Sequence, residues 1–243
     1  MEIRLPQLAG PDLEIWRLLF QLYEAYPTGW AVVGAQMVIV HAATNNVSRP
    51  VRTDDSDVLV DIRTVKLQEI ADWLMEQGFD FDQETVSPEG IGHRFVRSGA
   101  RIDLLSIDHS GRAANRLTVP PARTVEVPGG RLAANRTVEA TVTIGEETGR
   151  IPIPDWIAAM VLKARAAIEF PEDREKHLRD FALLLGLRVD LNALAKSVSK
   201  QERKHLARAS ELITDEIWAS IARAVDLRDA QIALSLLLRP PIS

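Results

Sequence analysis

A chain of 243 residues with 46% hydrophobic and 26% charged content has the make-up of an ordinary globular protein and can bury a substantial core. Its formal net charge of −5 excludes a long basic track for nucleic-acid backbone, so any RNA contact has to be local. There is no cysteine for disulfides or thiolate chemistry, no apolar run as long as a bilayer span, and no charged-then-apolar leader in Met1–Pro6, so the expectation is a cytoplasmic protein without a membrane partner.

Pro11 to Tyr26 places Leu13, Trp16, Leu19, Phe20 and Tyr23 near helical spacing and predicts an amphipathic helix. Trp30-Ala31-Val32-Val33-Gly34 reads as a short buried strand ending at a glycine, and Ala35 to Ala42 as an apolar, helix-compatible run. A strand, a glycine turn and a helix start expose backbone N–H groups at the positive end of a helix, which suits a phosphate. An ordinary β–α connection has the same form, because glycine is the default turn residue.

Thr53-Asp54-Asp55-Ser56-Asp57-Val58-Leu59-Val60-Asp61 follows, an Asp-x-Asp pair running into a β-branched strand pattern. In a strand Asp55 and Asp57 project from one face and Val58 and Val60 from the other. Two carboxylates held side by side repel unless a cation sits between them. Hard oxygen ligands of this kind suit Mg²⁺ (or Mn²⁺), which takes one or two carboxylates plus substrate phosphates. On its own the pair also fits a solvated strand edge.

Val65 to Gly78 predicts a helix closed by its glycine, and Phe79 to Gly99 a hairpin region with a turn at Pro88-Glu89-Gly90 and a strand at His93-Arg94-Phe95-Val96. That strand feeds Arg101-Ile102-Asp103-Leu104-Leu105-Ser106-Ile107, where one acid stands among apolar residues. A carboxylate there is costly unless paired or metal-bound. Asp103 beside Asp55 and Asp57 would complete a three-carboxylate cluster able to hold two metal ions; otherwise it is a strand-end acid near Asp108 and His109. Pro120-Pro121 and Pro128-Gly129-Gly130 punctuate the next stretch, and Val138 to Ile144 and Gly149 to Ile153 read as strands.

From Pro154 the period becomes helical. Pro154-Asp155 opens a helix, Ser199-Lys200-Gln201-Glu202 is a capping box, and Thr214 and Asp226 start further helices. Strands with helices followed by helices alone argue an α+β fold: a mixed β-sheet with flanking helices over residues 1–153, then an α-helical domain over 154–243.

The ordered set Gly34-Ala35, His41, Arg52-Thr53-Asp54-Asp55-Ser56-Asp57, Ile102-Asp103-Leu104-Leu105, Met160 to Ala166 with Lys163, and Arg174 to Phe181 with Asp180 resembles the nucleotidyltransferase superfamily. More narrowly it is similar to the AbiEii and MenT-type toxin nucleotidyltransferases, over roughly residues 28 to 187. The resemblance implies transfer of a nucleoside monophosphate from an NTP to an acceptor hydroxyl, with release of pyrophosphate. It implies a metal held by Asp55, Asp57 and Asp103, with Asp103 also taking the hydroxyl proton. Gly34, Ala35, Arg52, Thr53 and Lys163 would bind the nucleotide, and Asp180 would complete the catalytic set. The implied acceptor is an RNA, a tRNA 3′ end, and the implied protein partner an antitoxin.

Simpler readings stand beside some of these roles. Lys163 is otherwise an exposed helix lysine, and Asp180 either anchors Lys163 or pairs with Lys176 four residues earlier. His41, on an apolar helix, reads as a hydrogen-bonded core histidine. Three departures bear on activity: Ala35 lacks the glycine or small polar residue of the family pattern, His177 stands where the family has an acid, and the polar segment between His41 and Arg52 (Thr44-Asn45-Asn46) lacks the family's glycine after His41. Alternative functions are the same chemistry on a protein or small-molecule hydroxyl, and a catalytically weak, nucleotide-binding regulatory protein.

Overall fold

The computed structural model describes residues 1–47, 55–109, 111, 116–187, 189–190 and 196–239. The chain divides into two compact units, Met1–Met37 with Val51–Pro154, and Val38–Pro50 with Asp155–Ser243.

The first unit holds two sheets. In the larger, β2 (Trp30–Val32) runs antiparallel to β3 (Asp55–Val60), and β3 runs parallel to β6 (Ala100–Ile107). Beyond β6 come β5 (Arg94–Arg97) and then β4 (Asp80–Phe81), both antiparallel to their neighbours, while β7 (Glu126–Val127) pairs with the end of β6. The smaller sheet sets β1 (Glu2–Leu5) parallel to β8 (Thr137–Ile144), which forms a hairpin with β9 (Glu147–Pro154). The two-residue turn of that hairpin starts at Gly145, whose φ of +60° suits a residue without a Cβ.

Helix α1 (Pro11–Ala25) begins with proline in its first turn, where a missing N–H costs nothing, and with Asp12 and Glu14 at its positive end. It buries Ile15, Leu18, Leu19 and Leu22 and packs on β9, β6 and β3. Burial of each such side chain contributes about 1.5–3 kcal/mol. Helix α2 (Gly34–Ala43) follows β2 after one residue, and α3 (Leu67–Glu76) buries Leu67, Ile70, Ala71 and Leu74 at three- and four-residue spacing. Helix α4 (Gly130–Asn135) is capped by Asp108 at the end of β6, whose carboxylate accepts from the Gly129 and Arg131 N–H groups at 2.9 and 2.8 Å.

The second unit is helical: α5 (Trp156–Glu169), α6 (Arg174–Leu185), α7 (Lys200–Ser210), α8 (Asp215–Ile221) and α9 (Leu227–Leu238). Four of these five helices start at a side-chain cap. Asp155 caps α5, Ser199 and Glu202 form the reciprocal capping box of α7, and Thr214 and Asp226 cap α8 and α9. Helix α5 packs on α6 and α7, and α6 on α8 and α9. No described helix is long and apolar enough to cross a membrane.

Candidate active site

Strand β3 alternates as its sequence requires. Ser56, Val58 and Val60 are buried, while Asp55 and Asp57 on the other face are partly exposed. Parallel pairing sets Asp57 opposite Asp103 and Asp55 opposite Arg101. Antiparallel pairing of β5 with β6 sets Arg94 opposite Asp103. Side chains opposite one another on paired strands share a face, so Asp57, Asp103 and Arg94 form a row across three strands. Asp55 and Arg101 lie one pleat along on that face.

The turn into α2 meets this row. Gly34 has a φ of +66°, and a Cβ on it would overlap the Asp57 carboxylate, so no other residue fits without displacement. The Val33 N–H donates to the Asp57 carbonyl at 2.9 Å. Behind the face, the Ser56 hydroxyl donates to Gln36 Oε1, tying the first turn of α2 to β3. Gln36 is buried, and its Nε2 has no hydrogen-bond partner among the described residues. Ala35 stands in the same turn and is partly exposed. Arg52 and Thr53 lie outside the described residues.

Asp103 is held tightly. Arg94 Nε donates to Oδ1 at 2.9 Å and Arg94 Nη2 to Oδ2 at 2.8 Å, the two-pronged match of a guanidinium to a carboxylate. The Asp103 hydrogen bonds raise the Arg94 pKa above its ordinary value, and the charges of Asp103, Asp55 and Asp82 add to the rise. His93 Nε2 lies 3.9 Å from Asp103 Oδ2, and His93 Nδ1 is buried without a hydrogen-bond partner among the described residues. Burial lowers the His93 pKa, and the Arg94 charge acts in the same direction against that of Asp103.

Asp55 and Asp57 offer hard oxygens on one face, a donor set that fits one Mg²⁺ or Mn²⁺ completed by phosphate oxygens. The expected cluster of three does not form in this arrangement. Among the described residues no three His, Cys, Asp or Glu side chains gather to hold a metal ion. Asp103 has the right register, but both of its oxygens already accept from Arg94.

Sequence reasoning missed Arg94, although a signal for it exists. Ser98 and Gly99 have φ values of +49° and +89°, a two-residue hairpin turn with both central residues left-handed. Such a turn sets Arg97 opposite Ala100, and counting back along both strands sets Arg94 opposite Asp103.

In the second unit, Lys163 of α5 and Asp180 of α6 meet at 2.8 Å, with side chains only 4% and 3% exposed. Of the two cationic partners weighed for Asp180, the structure selects Lys163; Lys176 is exposed. His177, one turn before Asp180, has its Nδ1 buried without a hydrogen-bond partner among the described residues. Burial and the Lys163 charge push its pKa down to about 4. His41 is buried, as a core histidine would be.

No protein-family profile matches the chain. No curated protein matches it either. Among solved structures it is similar to an antigenic nucleotidyltransferase-like protein from Paracoccidioides brasiliensis, with a TM-score of 0.54 at 12% identity and 96% of each chain covered. It also aligns with the antibiotic-resistance factor ANT(2'')-Ia, with a TM-score of 0.44 at 14% identity, over 87% of this chain and 95% of that one. The first likeness places the α+β architecture among nucleotidyltransferase-like folds.

Proposed function

We propose that the protein is a metal-dependent nucleotidyltransferase. The observation that carries this reading is the juxtaposition, on one face of the larger sheet, of Asp55, Asp57 and Asp103 with the glycine turn into α2. Asp55 and Asp57 would hold the divalent cation by their carboxylate oxygens, and the N–H groups opening α2 at Gly34 and Ala35 would receive a phosphate. When bound, the cation neutralises triphosphate oxygens and polarises the α-phosphate. An acceptor hydroxyl attacks the α-phosphorus in line, the bond to pyrophosphate breaks, and Asp103 takes the proton the hydroxyl loses. Positioning and charge stabilisation supply most of such catalysis. A nucleotide-binding role for Lys163 rests on its motif position alone; its ammonium pairs with the buried Asp180 carboxylate.

The finer assignments rest on motif resemblance: an RNA acceptor, a tRNA 3′ end, and action as a toxin countered by an antitoxin. The alternative of a catalytically weak nucleotide-binding protein draws on one specific observation, the Arg94 fork over Asp103.

Incubation of purified protein with each α-³²P-labelled NTP, Mg²⁺ and either total RNA or protein lysate tests the proposal and identifies the acceptor polymer. Labelling is expected from the native chain and is expected to fall at least about 100-fold in Asp57→Ala. Equal labelling by the two would remove Asp57 from the chemistry.

A further inference from the structure

We propose that Arg94 is a phosphate ligand of the loaded site that, without nucleotide, occupies the third carboxylate and keeps it from a second metal ion. The inference rests on the nucleotidyltransferase reading and adds to it a residue with two alternating partners.

The geometry gives both halves. A carboxylate whose two oxygens each accept from one guanidinium, at 2.9 and 2.8 Å, presents a metal ion with one lone pair fewer on each oxygen and a competing positive charge. The register puts Asp103 beside Asp57 on the same face, and the Arg94 fork engages both of its oxygens there. The Arg94 side chain is 30% exposed, against 11% for Asp103, so of the two partners it is the more open to solvent.

The new partner has to match what Arg94 leaves. A guanidinium binds phosphate with the same two-pronged geometry it uses for a carboxylate. Arg94 is on the face that carries Asp55 and Asp57 and feels the Asp55 charge, so a triphosphate drawn there by a cation lies within reach. Exchanging one fork for another keeps its hydrogen bonds made, and releases the Asp103 oxygens when the substrate needs them. Entry of a metal without nucleotide would leave Arg94 with no such exchange, so the second metal position opens only with the triphosphate.

The test counts bound Mn²⁺ by electron paramagnetic resonance, with and without the four α,β-methylene nucleoside triphosphates. These bind but cannot transfer at the α-phosphorus. The native chain is expected to bind one Mn²⁺ alone and two with the analogue. Arg94→Ala should bind two Mn²⁺ alone and lose about 10-fold or more in analogue affinity, and adding Asp103→Asn should return its count to one. Arg94→Lys keeps a charge that cannot fork over both oxygens, and supplies the same reading if the alanine variant fails to fold.

One Mn²⁺ in Arg94→Ala and Arg94→Lys, or analogue affinity equal to native in either, overturns the Arg94 proposal and leaves the function standing. No Mn²⁺ on the native chain with or without analogue, or an Mn²⁺ count and affinity unchanged in Asp57→Asn, overturns the nucleotidyltransferase reading itself.

Discussion

Two carboxylates that look alike in sequence are held in opposite ways. Asp103 pairs with Arg94 across neighbouring strands of a sheet face that solvent reaches. Asp180 pairs with Lys163 between helices α5 and α6, where both side chains are sealed from water. The contrast separates two uses of an ion pair. A partly exposed fork can exchange partners at small cost, because water and a ligand phosphate compete for the guanidinium. A sealed pair cannot, because either charge left alone in the interior is strongly penalised.

The largest expected effect follows from that difference. Lys163→Met removes the ammonium, keeps most of the packing volume and takes from the buried Asp180 carboxylate the cation 2.8 Å away. It should lower unfolding free energy by about 3–5 kcal/mol. The double variant Lys163→Met with Asp180→Leu should recover much of the loss, since a buried pair replaced by apolar groups is often neutral. Urea denaturation of the single and double variants measures both. An unchanged midpoint in Lys163→Met would mean that the pair is open to water.

His177 gives a second measure of the helical side. Its native pKa is depressed to about 4, first by burial and then by Lys163, with Lys176 acting the same way and Asp180 and Asp173 opposing. Above the ordinary imidazole value both folded and unfolded chains are neutral here, and stability is undiminished. As pH falls through that value the unfolded chain takes a proton that the native site refuses, and stability drops until about pH 4, where the native ring titrates too. The loss over this window should be about 1–2 kcal/mol, because the ring is only half-buried and water softens the full linkage effect. His177→Leu should flatten the pH dependence of the unfolding midpoint between pH 6.5 and 4. A slope unchanged by the substitution would assign it to other groups.

The two regions were also unequally legible in the sequence. Features written in a few adjacent residues came through: the alternation of β3, the glycine before α2, and the caps at Asp155, Ser199, Thr214 and Asp226. Features that depend on distant chain did not. Strand β1 is four residues long and pairs with Thr141 to Ile144, so nothing near Glu2 announces its partner or the separate sheet the two form with β9. Pro128-Gly129-Gly130 reads as punctuation, yet Gly130 to Asn135 forms α4, with the Asp108 carboxylate, just past β6, accepting from the Gly129 and Arg131 N–H groups. By spacing alone, apart from its motif position, Lys163 reads as an exposed helix lysine beside an apolar stripe. The structure buries every residue from Trp156 to Ala164, so that stripe marks only part of what packing covers.

The smallest expected effect belongs to the exposed pair, and it decides whether the contrast holds. Coupling between Arg94 and Asp103, from a double-mutant cycle of the two alanine variants, should be about 1 kcal/mol in unfolding free energy. That lies well below the coupling between Lys163 and Asp180. It should shrink further in 1 M NaCl, where the screening length is about 3 Å, while the helical pair, shielded from salt ions, should barely respond. A coupling for Arg94 and Asp103 as large and as salt-insensitive as that of the sealed pair would make the fork a fixed strut. A strut of that strength would not release Asp103 to a cation, because a phosphate would have to overcome the whole of it before the third carboxylate could turn.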